Sequence, residues 1–147
     1  MTAPASILYI PHGGGPLPLM GHPGHKILGD FLDTISLPRP KAVLVISAHW
    51  EMDIPVITAG SRPALIYDYF GFPEMAYQIE YPAPGDPDLA RATQDLLTRT
   101  GIKSRCDEKR GFDHGVFIPL SLMLPGADIP CIQISLCADL DPSTHLK

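Results

Sequence analysis

Two apolar runs in this sequence each lead into an imidazole. "ILYIPHGGGP" places His12 after Ile7–Ile10 and before three glycines, and "VLVISAHWE" carries a β-branched run into His49. Runs this apolar do not tolerate an unpartnered polar ring without reason. A third histidine, His114, sits in "GFDHG", flanked by glycines and preceded by Asp113, an aspartate placed to orient it. Neutral imidazoles delivered from strand ends suit a borderline ion such as Fe(II) or Zn(II). A site of the two-histidine, one-carboxylate type also needs a third protein ligand and open positions for substrate and O2. Asp113, Glu51, Asp68 and Glu74 are all available for that place, and spacing does not choose among them. His22 and His25, in "GHPGHK", read as a surface pair, ahead of a role in support of a site. His145 receives no role.

Other chemistries fit less well. "HGGGP" looks like an oxyanion-hole glycine run, yet no GxSxG nucleophile follows. Neither a phosphate-loop GK[ST] nor a dinucleotide GxGxxG is present. The three cysteines lack a CxxC spacing and read as reduced core thiols. A net charge of −5 argues against nucleic acid or an anionic membrane as partner. No apolar run approaches the ~20 residues that span a bilayer, and the first residues lack a secretory pattern. The expected location is therefore cytoplasmic.

The elements that must position these histidines follow from periodicity. Ile7–Ile10 reads as a buried strand stopped by Pro11 and the glycines. Ile27, Leu28, Phe31, Leu32 and Ile35 are spaced for a helix over about residues 24–35. "AVLVIS" and "IPVITAG" read as strands two and three. Residues 61–87 are aromatic, proline-rich and irregular, and irregular stretches of that length are often functional. Asp86 and Pro87 start a helix that Gly101 ends. "GIKSRCD" reads as a short strand, "VFIPLSLML" as a buried helix despite Pro119, and "IPCIQISLC" as the last strand. The alternation predicts a single α/β domain over 1–147, with a mostly parallel central sheet flanked by helices. In such sheets ligands bind beyond the strands' carboxyl ends, where His12 and His49 are expected.

Taken together, "PHGGGP", "LPRPKAVLVISAHWE", "IYDYFGFPEMAYQIEYPAPGDPDLA" and "GFDHG" resemble, in this order, the class III extradiol ring-cleaving dioxygenases of the LigB superfamily. The similarity is greatest to the DOPA 4,5-dioxygenase-like branch. The resemblance implies a non-haem Fe(II) centre, with Zn(II) in some members, acting on a catechol and O2. It makes His12 and His49 metal ligands and His114 a catalytic proton donor. Tyr67, Phe70, Phe72 and Asp113 would then bind substrate. Members of that branch are longer, so the chain looks like an N-terminal half, apparently truncated, that lacks a third ligand and a second catalytic histidine. "DPSTH" reads as a helix start, with Asp141 or Ser143 as its cap. A cut sheet would expose an apolar edge, which predicts self-association or a partner chain that completes the site. A non-catalytic metal- or peptide-binding module of the same fold, or an inactive fragment, is the alternative.

Overall fold

A computed structural model of the protein describes residues 5–35 and 38–146. Helix α1 is Lys26–Thr34, preceded by a 3₁₀ turn at Pro23–His25, and strand β1 is Val43–Met52. Strand β2 (Val56–Thr58), helix α2 (Pro87–Arg99) and strand β3 (Arg105–Asp107) follow, then helix α3 (His114–Met123), strand β4 (Cys131–Cys137) and the short helix α4 (Pro142–His145). The sheet order is β1-β4-β2-β3. Pairs β1/β4 and β2/β3 run parallel, while β2 meets β4 antiparallel through Ile57 and Ile134.

Helix α2 forms where the sequence predicts it. The Asp86 carboxylate accepts the Leu89 N–H at 2.9 Å, Pro87 opens the first turn, and Gly101 takes the positive φ that ends it. Its Ala90 packs with Ile57, Ala59 and Ile132 on one face of the sheet. On the opposite face α3 brings Val116, Phe117 and Leu120 against Cys131, Val43 and Val45. Six residues of α3, His114, Val116, Phe117, Ile118, Pro119 and Leu120, are buried. A helix enclosed on every side by apolar neighbours holds its shape through packing, which is why Pro119 does not end it. The cap of α4 is Asp141, which accepts from the Ser143 N–H at 2.8 Å. His145 Nε2 in turn accepts the Cys137 N–H at 2.9 Å, so His145 ties α4 to the end of β4.

One expectation is corrected. Ile7–Ile10 is not a strand: residues 5–12 are without regular structure, and Ile7 and Tyr9 are exposed. A strand exists only as a ladder of hydrogen bonds to a neighbour, and this run pairs with none of the described strands. Residues 61–87 are largely irregular, as expected, and also form much of the core wall. Tyr69, Ala76, Tyr81 and Ala83 are buried there, and the Tyr67, Tyr69 and Tyr81 hydroxyls donate to the backbone oxygens of Ile79, Ala76 and Leu124. Along β1, at the end of the sheet, Leu44 and Ile46 share a face with Ile132 and Ile134. Ile46 is nonetheless 62% exposed, because α2 packs only over the β2, β3 and β4 side.

Candidate metal centre

His49 owes its direction to a break in the β1/β4 ladder. Ser47 pairs with Ser135, but the next partner of Leu136 is Glu51, so Ala48, His49 and Trp50 bulge out of register. A bulge re-aims side chains. Here Trp50 turns into the core beneath the Arg110 guanidinium, 4.6 Å from the ring centre, and His49 turns outward. His49 therefore lies within a strand rather than at its end.

His12 stands at the start of the glycine run. Gly13 has φ +79°, and a Cβ there would meet the His25 ring at 2.5 Å. His25 Nε2 accepts the Gly14 N–H at 3.0 Å, and His22 lies beside it. The pair thus supports the loop that presents His12. His114 opens α3, with its Nδ1 2.7 Å from Asp68 Oδ1 and its backbone N–H donating to the same oxygen at 3.0 Å.

The three imidazoles converge. Their ring centres lie 4.8, 4.8 and 4.0 Å apart, and one ligand nitrogen from each falls within 4.8 Å of the others. His12 Nε2 and His49 Nε2 approach to 2.7 Å. Two lone pairs do not face each other at that distance unless a proton or a cation lies between them. Burial, with His114 and His49 nearby, lowers the His12 pKa from 6.5 to about 4, so the ring is neutral and ready to ligate. Three imidazole nitrogens brought together in this way fit a divalent borderline ion with open positions left over. Burial raises the Asp68 carboxyl, but the hydrogen bonds from His114 outweigh it, and Asp68 is held below its ordinary range.

The expected substrate-binding role of Asp113 is corrected, and it acts on His114 through the backbone and not through the ring. Asp113 is 0% exposed, so a substrate arriving from solvent does not reach it. Its Oδ1 accepts from Ser47 Oγ at 2.7 Å and from the Gly115 N–H at 3.0 Å, capping α3, while Oδ2 takes Gln133 Nε2 and Arg110. This carboxylate fixes the geometry under both His49 and His114. Asp113→Ala strands those buried donors and is expected to cost about 3 kcal/mol of stability in urea unfolding; a cost below 1 would deny it that role.

The expected aromatic residues separate. Phe70 is 91% exposed. Tyr67 packs edge-on against Tyr69, Tyr77 and Phe117, and the Phe72 ring lies against Gly15 of the His12 loop and against Tyr69. Tyr69, which sequence reasoning did not select, stands 5.7 Å from the His114 ring. Asp68 was weighed only as a metal ligand; its place between two tyrosines in "IYDYF" was the available signal. A surface hollow of about 420 Å³, lined by Ser61, Arg62, Pro63, Pro82, Ala83 and Pro84, includes none of the histidines.

Gly115 shows how closely the site is built. A Cβ there would come 2.5 Å from Ser47 Oγ and 2.9 Å from His49 Cδ2. Gly115→Ala should displace the His49 ring and lose about 1–3 kcal/mol, with weaker metal binding seen by chelator competition. An unchanged affinity would show that the bulge yields freely. His12 makes acid the other probe. With a folded pKa of about 4 against 6.5 unfolded, the unfolded chain takes up a proton that the folded chain refuses. Stability is then full above pH 6.5 and erodes as pH falls towards 4, by about 2 kcal/mol after allowance for solvent at a partly exposed ring. His12→Gln should flatten that slope; the same slope in the variant would exclude His12 as its source.

Comparison with known proteins gives this cluster a context. Residues 6–146 match the family described as the catalytic LigB subunit of aromatic ring-opening dioxygenase. The chain belongs to this family. It is 46% identical over 95% of its length to a 4,5-DOPA dioxygenase extradiol of Beta vulgaris, and 42% identical over 97% to a dioxygenase of Hapsidospora irregularis. It spans about half the length of these relatives, 53% and 47% respectively. An uncharacterized Escherichia coli K12 protein of known crystal structure superposes with a TM-score of 0.52 at 37% identity, over 77% of this chain and 38% of that one. Among the described residues, no helix is long and apolar enough to cross a membrane.

Proposed function

We propose that this chain carries the metal centre of an extradiol dioxygenase that opens a catechol-type ring with O2. His12 and His49 are the ligands and His114 is the proton-handling group. The observation that carries this reading is the convergence of three imidazoles from three separate parts of the chain. Fe(II), with Zn(II) as the alternative, would supply Lewis acidity toward the catechol hydroxyls and a common centre for substrate and O2. His114 takes a hydroxyl proton at Nε2 and returns it to oxygen as the ring opens, the work of a positioned acid–base group. Asp68 carries the complementary negative charge. Tyr69 and Phe72 provide an aromatic wall beside the His12 loop and keep water from that side. The membership of the family and the similarity to DOPA dioxygenases support a catechol as substrate. A cytoplasmic location and completion of the site by further chain, from a second copy or a partner, belong to the same proposal.

The test is oxygen uptake by the purified chain after anaerobic loading with Fe(II), against a panel of catechols that includes DOPA. Uptake matched mole for mole by a ring-opened chromophore is the expected result. Catechol binding without uptake, in the presence of bound metal and of the C-terminal half of a full-length relative, would overturn the dioxygenase reading and favour a metal-binding module.

A further inference from the structure

We propose that Asp68 is the positioning residue for His114: one carboxylate oxygen takes both the ring Nδ1–H and the backbone N–H of His114, fixing the tautomer and leaving Nε2 as the nitrogen offered to the site. The inference rests on the proposed function only in giving His114 a task.

Both bonds end on Oδ1, at 2.7 Å from Nδ1 and 3.0 Å from the backbone nitrogen. An ionised carboxylate only accepts, so Nδ1 must carry the proton. In a neutral imidazole the lone pair then resides on Nε2. Because the two donors belong to one residue, Oδ1 restrains the ring relative to its own backbone. The Asp68 side chain is 25% exposed, so the contact is largely shielded from water. Its own position is secured on both sides. Tyr67 and Tyr69 flank it and are pinned through their hydroxyls to Ile79 and Ala76, and the Leu65–Phe112 bridge ties the segment to the residues just before α3. The neighbouring carboxylate, Asp113, cannot substitute, since both its oxygens are engaged by Ser47, Gly115, Gln133 and Arg110. Carboxylate partners of this kind fix the tautomer and ring orientation of histidines in such sites.

The experiment is long-range ¹H–¹⁵N correlation on the metal-free chain labelled in its histidines, with the His114 signals assigned by their loss in His114→Gln. Wild type should show His114 protonated at Nδ1 with an unprotonated Nε2. Asp68→Ala should give a mixture of tautomers while the His22, His25 and His145 signals stay in place. Asp68→Asn, which retains an oxygen acceptor of the same shape, should restore most of the Nδ1–H form. Wild-type His114 protonated at Nε2, or an unchanged tautomer in Asp68→Ala, would overturn the proposal. Since the spectrum is taken without metal, substrate or turnover, a failure of the dioxygenase reading leaves this result standing, and the converse also holds.

Discussion

His49→Ala is expected to abolish tight metal binding, with the divalent-ion dissociation constant rising by more than about 100-fold. Outer partners of a ligand already account for about 10–100-fold, and the ligand itself contributes more. The bulge between Ser47 and Glu51 brings His49 Nε2 to 2.7 Å from His12 Nε2. Removing the ring leaves His12, held neutral by burial, without a second donor on its own side of the cluster. The fold should be almost unaffected. His49 is exposed, and its backbone N–H still donates to Ser47 Oγ, so a stability change within about 0.5 kcal/mol is expected. Chelator competition under anaerobic Fe(II), paired with urea unfolding, separates the two effects. Full metal retention in a folded variant would remove His49 from the site.

The elements were legible where one local rule decides them. Asp86-Pro87 with Gly101 bounds α2 by capping and backbone chemistry alone, and the β-branched run before His49 defines most of β1. The Ile7–Ile10 run shows the limit. Apolar alternation states a wish for burial, while a strand also needs a neighbour's edge, and that is a property of the whole sheet. His12 and His49 were legible as a pair because each interrupts or follows an apolar run with a costly polar ring. The bulge that aims His49 was not, because an out-of-register residue is defined only against β4. Which aspartate meets the His114 ring was not legible for the same reason. Asp113 lies next to His114 in sequence, but capping α3 turns its carboxylate down toward Ser47 and Gln133. Asp68, 46 positions away, occupies the place that sequence proximity had suggested for Asp113. Contacts between distant segments decide which carboxylate an imidazole meets.

Turnover in His114→Phe is expected to fall by about 10²–10⁴-fold, the range for a lost proton-transfer group, with metal still bound. Phenylalanine keeps a flat ring beside Tyr69, His12 and His49 and removes both nitrogens. Asp68 loses its ring donor but keeps the His114 backbone N–H, so the stability cost should be about 1 kcal/mol. Measuring metal content beside rate separates two roles that the cluster's geometry makes equally close, since all three imidazoles lie within ligand distance of one another. Slow turnover with metal retained assigns His114 to proton handling. Loss of metal along with turnover makes His114 a third ligand, and the proton must then be carried by another group. Unchanged turnover would remove His114 from the chemistry and leave its bond to Asp68 as a device for starting α3.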